Sequence, residues 1–109
     1  MIWFTSGQHL APMDDEIAYA VSKGALHQMT ASINHALAAS RIVVNCINPG
    51  PVDTGYATIG MHRGVRQRFP DQRWGAPDDI ANLVEFLVTE SGAWIRGQVI
   101  DAEGGFDRS

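Results

Sequence analysis

The chain has 109 residues, 45% of them hydrophobic and 18% charged, which is ordinary for one globular domain and too apolar for a disordered chain. No apolar run approaches the eighteen or so residues of a membrane span, and Met1–Leu10 lacks the basic cluster and apolar core of a secretory leader. A formal charge of -4 argues against nucleic acid as the main partner, and the single cysteine, Cys46, cannot close an internal disulfide, which fits a reducing, cytoplasmic setting.

The first element is a short strand ending, Ile2-Trp3-Phe4-Thr5, followed by a loop over residues 6–15 that contains Gly7 and Pro12. Asp14, Asp15 and Glu16 suggest a cap and an acidic first turn for a helix over residues 17–39. Ala18, Val21, Ala25, Met29, Ile33 and Leu37 recur at three- and four-residue steps, which predicts the face buried on a sheet. A second, more polar stripe carries Tyr19, Lys23, Thr30 and Asn34.

Residues 42–47 form a β-branched run suited to a strand buried on both faces. It ends in the breaker Asn48-Pro49-Gly50-Pro51. Residues 52–73 read as irregular, with a short helix around 61–69. A further helix starts near Pro77, with Asp78 and Asp79 at its positive end. Its apolar stripe is Ile80, Leu83, Val84, Leu87 and Val88, and Ser91-Gly92 ends it. A last strand is centred on Val99-Ile100. Strand, helix, strand, helix, strand implies a doubly wound α/β architecture with a parallel sheet. Ligands of such sheets sit beyond the carboxyl ends of the strands. Segments 6–15, 48–56 and 101–105 all follow strands, so they share that edge.

Tyr19 and Lys23 are four residues apart on a helix, which stacks their side chains on one face. An ammonium beside a phenol favours the phenolate, a route to general acid–base chemistry near neutral pH. The pattern also arises by chance on helix surfaces. Ser6, at the strand exit, has a hydroxyl that could polarise a carbonyl, though turn serines commonly bond their own backbone. In Asn48-Pro49-Gly50-Pro51-Val52-Asp53-Thr54 the prolines fix φ and the glycine lets a ligand approach the backbone. That stretch is equally readable as a stiff loop. His9, His27, His35 and His62 show no metal spacing. Trp3, Trp74 and Trp94 read as core or interface anchors.

Taken in order, the strand-end serine, Tyr-x-x-x-Lys, Asn-Pro-Gly-Pro-Val-x-Thr and Gly-Gln-Val-Ile-x-x-x-Gly-Gly closely resemble the C-terminal half of the short-chain dehydrogenase/reductase family. The resemblance runs from Ile2 to Phe106 and looks most like the 3-oxoacyl-reductase-type members. It implies a Rossmann-like fold and an NAD- or NADP-dependent oxidoreductase acting on a small-molecule carbonyl or alcohol. It implies that Tyr19 passes the proton to or from the substrate oxygen. It implies that Lys23 assists Tyr19 and holds the nicotinamide ribose hydroxyls, and that Ser6 orients the carbonyl. It gives Val52 backbone contacts to the nicotinamide carboxamide and Thr54 a place near the cofactor phosphates. Pro49 and Gly50 would shape the wall, and residues 52–73 would form a mobile substrate loop.

The departure is the missing N-terminal half of the family fold. The glycine-rich cofactor fingerprint is absent: Gly60 and Gly64 share its four-residue step, but Arg66 stands where a third glycine belongs. The residues that would choose between NAD and NADP, and the family's catalytic asparagine, lie in that half. The expectation is a partial domain that self-associates as a homo-oligomer or pairs with a full-length relative. A non-catalytic interaction module is the rival function.

Overall fold

The computed structural model describes all 109 residues. In chain order the elements are β1 (Ile2–Phe4), α1 (Ile17–Leu37), β2 (Asn45–Asn48), α2 (Ile59–Arg66), α3 (Pro77–Val88) and β3 (Val99–Asp101). Short 3₁₀ turns follow α1 at Ala38–Ser40 and α3 at Glu90–Gly92. The strands form one parallel sheet in the order β1-β2-β3, the α/β arrangement expected from the alternation of elements. No helix is long and apolar enough to cross a membrane.

β2 is central, and all four of its residues are buried. It starts three residues later than the β-branched run suggests. Ile42 is exposed, and the Val44 amide donates to Asn34 Oδ1 on α1 rather than to a neighbouring strand. The core is built from Val44, Cys46 and Ile47 with Phe69, Trp74 and Leu87. Burial pushes the Cys46 thiol pKa up, so this cysteine is a small apolar core residue rather than a nucleophile. Two asparagines bracket the strand and have their polar groups met within the chain. Asn45 donates to Ile95 O and accepts from the Gln98 amide, at 2.9 and 3.0 Å.

The expected buried face of α1 is corrected by the structure. Ala18, Val21, Ala25 and Met29 are exposed, while Thr30, from the polar stripe, is fully buried. The reason is hydrogen bonding. Thr30 Oγ1 accepts from Trp3 Nε1 at 2.8 Å and donates to Leu26 O at 2.7 Å. Asn34 caps the Val44 amide at 3.0 Å. Polar side chains with such partners are cheap to bury, and they dock the helix on the sheet. The acids before α1 also differ from expectation: no side chain caps the helix, and none lies in its first turn. At α3 the expected acids do act. The Asp79 carboxylate accepts from the Ala76 amide at 2.8 Å and pairs with Arg73 at 2.7 and 3.2 Å. Val88 falls outside the buried stripe of α3. Trp94, 93% exposed, is not a core anchor, whereas Trp74 is buried.

Candidate active site

Three loops meet at the carboxyl edge of the sheet, where segments 6–15, 48–56 and 101–105 were expected. Side chains link them. Asn48 donates to Asp101 Oδ1 and to Glu103 Oε1, both at 2.9 Å. His9 bonds Asp101 Oδ1 at 2.9 Å. Glu103 is paired with Arg108 of the C-terminal segment.

β1 delivers Ser6 and is locked to α1 at Lys23. The Thr5 hydroxyl lies 2.9 Å from the Lys23 carbonyl, and Lys23 Nζ donates to the Phe4 carbonyl at 3.3 Å. The ammonium lies 5.9 Å from the centroid of the Tyr19 ring, at cation–π distance. The i, i+4 spacing thus brings the only lysine of the chain onto the face of Tyr19. Ser6 and Tyr19 open on one cavity of about 320 Å³, together with Pro49 and Gly50. Tyr56, Met61, Val65 and Trp74 form its opposite wall. Arg108 also reaches it, over Gly7, where any Cβ would collide with the guanidinium.

Lys23, Val52 and Thr54 lie outside this cavity. Val52 forms a parallel bridge to Gly75 through the flanking groups: the Gly75 amide donates to Pro51 O at 3.1 Å, and the Asp53 amide donates to Gly75 O at 2.9 Å. The amide and carbonyl of Val52 itself point away from that bridge, as the parallel pattern requires. Gly50 turns the chain at a φ of 63°, a left-handed conformation suited to glycine. Thr54 is exposed at the loop tip.

Within the irregular segment, α2 begins earlier than expected, capped by Thr58 Oγ1, which accepts the Met61 amide at 3.2 Å. The helix is held over the cavity by three contacts at His62. His62 pairs with Asp53 at 3.2 Å, and its ring stacks on Trp74 at 5.2 Å. Trp74 Nε1 then donates to the His62 carbonyl at 2.8 Å. Asn48, Trp74, Arg108 and the histidine pairs were not singled out from sequence as site residues. Asn48 and His9 find their partners at Asp101, 53 and 92 residues away, and the nearer pairs, His62 with Asp53 and Arg108 with Glu103, follow no motif spacing.

Comparison with known proteins adds an independent result. A family model described as enoyl-(acyl carrier protein) reductase matches residues 1–107. The uncharacterized oxidoreductase YjdA of Bacillus subtilis is 44% identical over 108 residues, covering 99% of this chain and 43% of that protein. The angucycline C-6 ketoreductase LanV, solved with bound NADP, superposes with a TM-score of 0.86 at 34% identity, over 95% of this chain and 42% of LanV. 4-Hydroxyisoleucine dehydrogenase, solved with NADH and succinate, gives 0.83 at 26% identity, over 95% and 44%. The chain therefore spans less than half the length of these relatives.

Proposed function

The chain belongs to the short-chain dehydrogenase/reductase family, and on that premise we propose that it forms the catalytic part of an NAD- or NADP-dependent oxidoreductase. The substrate is a small molecule that carries a carbonyl or an alcohol. The observation that carries this reading is the cavity shared by Ser6 and Tyr19, with the Lys23 ammonium 5.9 Å from the Tyr19 ring centroid.

In the direction of reduction, the nicotinamide supplies the hydride when bound. Everything else falls to the side chains. The Ser6 hydroxyl donates a hydrogen bond to the carbonyl oxygen and orients it. The Tyr19 phenol gives its proton to the same oxygen. Lys23 holds positive charge beside the ring that becomes negative, which is stabilisation aimed at the developing charge. In the alcohol direction the same groups run in reverse. When bound, the nicotinamide carboxamide would be held by the amide and carbonyl of Val52, which the bridge to Gly75 leaves free. Pro49 and Gly50 would form the wall of the cofactor site, Lys23 would hold the ribose hydroxyls, and the Thr54 hydroxyl would contact the cofactor near its phosphates. The 52–73 segment carries α2 over the substrate.

The test is titration of the purified protein with NADH and NADPH, read by nicotinamide fluorescence, with Tyr19→Phe and Lys23→Ala beside it. Saturable binding weakened by Lys23→Ala supports the reading. No binding at millimolar cofactor, from a folded sample, overturns it for this chain.

A second reading is favoured by one observation. The outward face of α1 exposes Ile17 (68%), Val21 (67%) and Met29 (41%). Contiguous exposed apolar surface of this kind marks interaction sites. It supports self-association or pairing with a full-length relative, with or without catalysis. Size-exclusion chromatography of Val21→Glu against the parent chain tests it: a monomer in both removes this reading.

A further inference from the structure

We propose that Gln8 and His9 are positioning residues for Ser6, with His9 acting as its neutral Nε2–H tautomer. The inference rests on the reading of Ser6 as the group that orients the carbonyl.

One backbone amide sets the orientation of the network, because its hydrogen is fixed in place. The Ser6 N–H can only donate, and it lies 3.1 Å from Gln8 Oε1. That contact fixes the orientation of the Gln8 amide: oxygen toward Ser6, NH₂ away. The same oxygen lies 2.8 Å from the Thr5 hydroxyl, whose one proton is shared between it and the Lys23 carbonyl. The Gln8 NH₂ then faces His9 Nδ1 at 3.3 Å and His27 Nδ1 at 3.5 Å. A neutral His9 ring meets this donor only by accepting at Nδ1, which places its proton on Nε2. His9 Nε2–H donates to Asp101 Oδ1 at 2.9 Å, and the two imidazoles meet edge to face at 4.6 Å. The result is a continuous tether from the end of β3, through His9 and Gln8, to the Ser6 backbone amide and the Thr5 hydroxyl.

Protonation of His9 breaks this tether. A charged ring bears N–H at Nδ1, donor against donor with the Gln8 NH₂. Flipping the Gln8 amide meets the ring but turns the NH₂ onto the Ser6 N–H. Either arrangement forfeits one contact. The titratable groups in contact with His9 are Asp101 from β3 and His27 from α1; the Glu103–Arg108 pair is joined to Asp101 through Asn48, and Lys23 to Gln8 through the Thr5 hydroxyl. Asp101 is in direct contact with Nε2 and, as a carboxylate, favours the charged ring, so protonation keeps the His9–Asp101 contact while the Nδ1 contact with Gln8 is lost.

The experiment follows the Ser6 amide and the His9 ring by ¹⁵N NMR through a pH titration. The chains are the parent, Gln8→Ala and Gln8→Glu. Reduction of the probe 4-nitrobenzaldehyde by NADPH is measured alongside, with Ser6→Ala included. In the parent the Ser6 amide shift follows the His9 titration, and in Gln8→Ala it does not. The carboxylate introduced by Gln8→Glu keeps the acceptor for Ser6 and faces Nδ1 with negative charge. That variant therefore moves the His9 titration upward and retains turnover on the acid side. Gln8→Ala lowers kcat by about ten- to a hundredfold, the scale for a misplaced reacting group, with the KM for NADPH unchanged. A Ser6 amide indifferent to His9 in the parent overturns the proposal. So does unchanged kcat in Gln8→Ala when Ser6→Ala abolishes turnover. If Ser6→Ala leaves turnover intact, the catalytic reading of Ser6 fails, while the amide titration still decides the tether.

Discussion

Replacing Asn48 tests how the carboxyl edge of the sheet is held together. Its side chain is fully buried and makes three hydrogen bonds. One goes to Glu103, whose side chain is only 10% exposed. A bond to a charged, covered carboxylate is worth about 1.5–3 kcal/mol. The bond to Asp101, 41% exposed, is screened and contributes about 0.5–1 kcal/mol. The bond accepted from the Gly50 amide adds about 1 kcal/mol. Asn48→Ala therefore costs about 3–5 kcal/mol, and equilibrium urea unfolding reads this as a fall in midpoint of about 2 M for a chain of this size. Asn48→Asp makes the sign visible. It sets a third carboxylate against Asp101 and Glu103, which disfavours its ionised form. The protonated acid restores one donor, so the deficit against the parent shrinks as pH falls. A midpoint for Asn48→Ala within about 0.3 M of the parent, or an Asn48→Asp deficit independent of pH, refutes the reasoning.

Three further perturbations probe other links. Gly92 is buried, and a Cβ there would strike the Phe86 carbonyl and come within 2.8 Å of Leu87 Cα. Because both obstacles are backbone, Gly92→Ala destabilises by about 2–3 kcal/mol, measured as a lowered Tm. Thr30→Val leaves the Trp3 indole N–H without its acceptor, costing about 1–2 kcal/mol and shifting Trp3 fluorescence. Asp79 is held below the usual carboxylate range, first by its hydrogen bond from Arg73 and then by the Ala76 amide. A depressed folded-state pKa contributes stability above the unfolded value of about 3.9, lost as pH falls through the folded value. The stability difference between the parent and Asp79→Asn should thus be flat near neutrality and vanish in acid; a difference that grows in acid contradicts the assignment.

Much of the frame is legible in the sequence because it depends on local chemistry. The breaker after Asn48, the proline and acids at α3, and the β-branched run all act within a few residues. Tyr19 and Lys23 are legible for the same reason, since helical spacing alone stacks them. The face of α1 is not legible, because apolar periodicity assumes that polar side chains go outward. Thr30 and Asn34 go inward because Trp3 and Val44, far off in the chain, offer them partners. The start of β2 fails similarly: Val44 spends its amide on Asn34 instead of a strand. Asn48, Trp74, His9 and Arg108 gain their roles through contacts across the fold that no spacing rule encodes.

The strand order carries a consequence for the folding rate. The β1–β2 partners lie 43 residues apart and the β2–β3 partners 53 apart, so neither pairing can form before a long loop is closed. Helices α1 and α3 need only neighbouring residues and can flicker into existence first. The sheet is then the slow, cooperative step, as in other chains dominated by distant contacts. Because β2 lies between both partners, its burial and the assembly of the cavity edge should be one kinetic event rather than two.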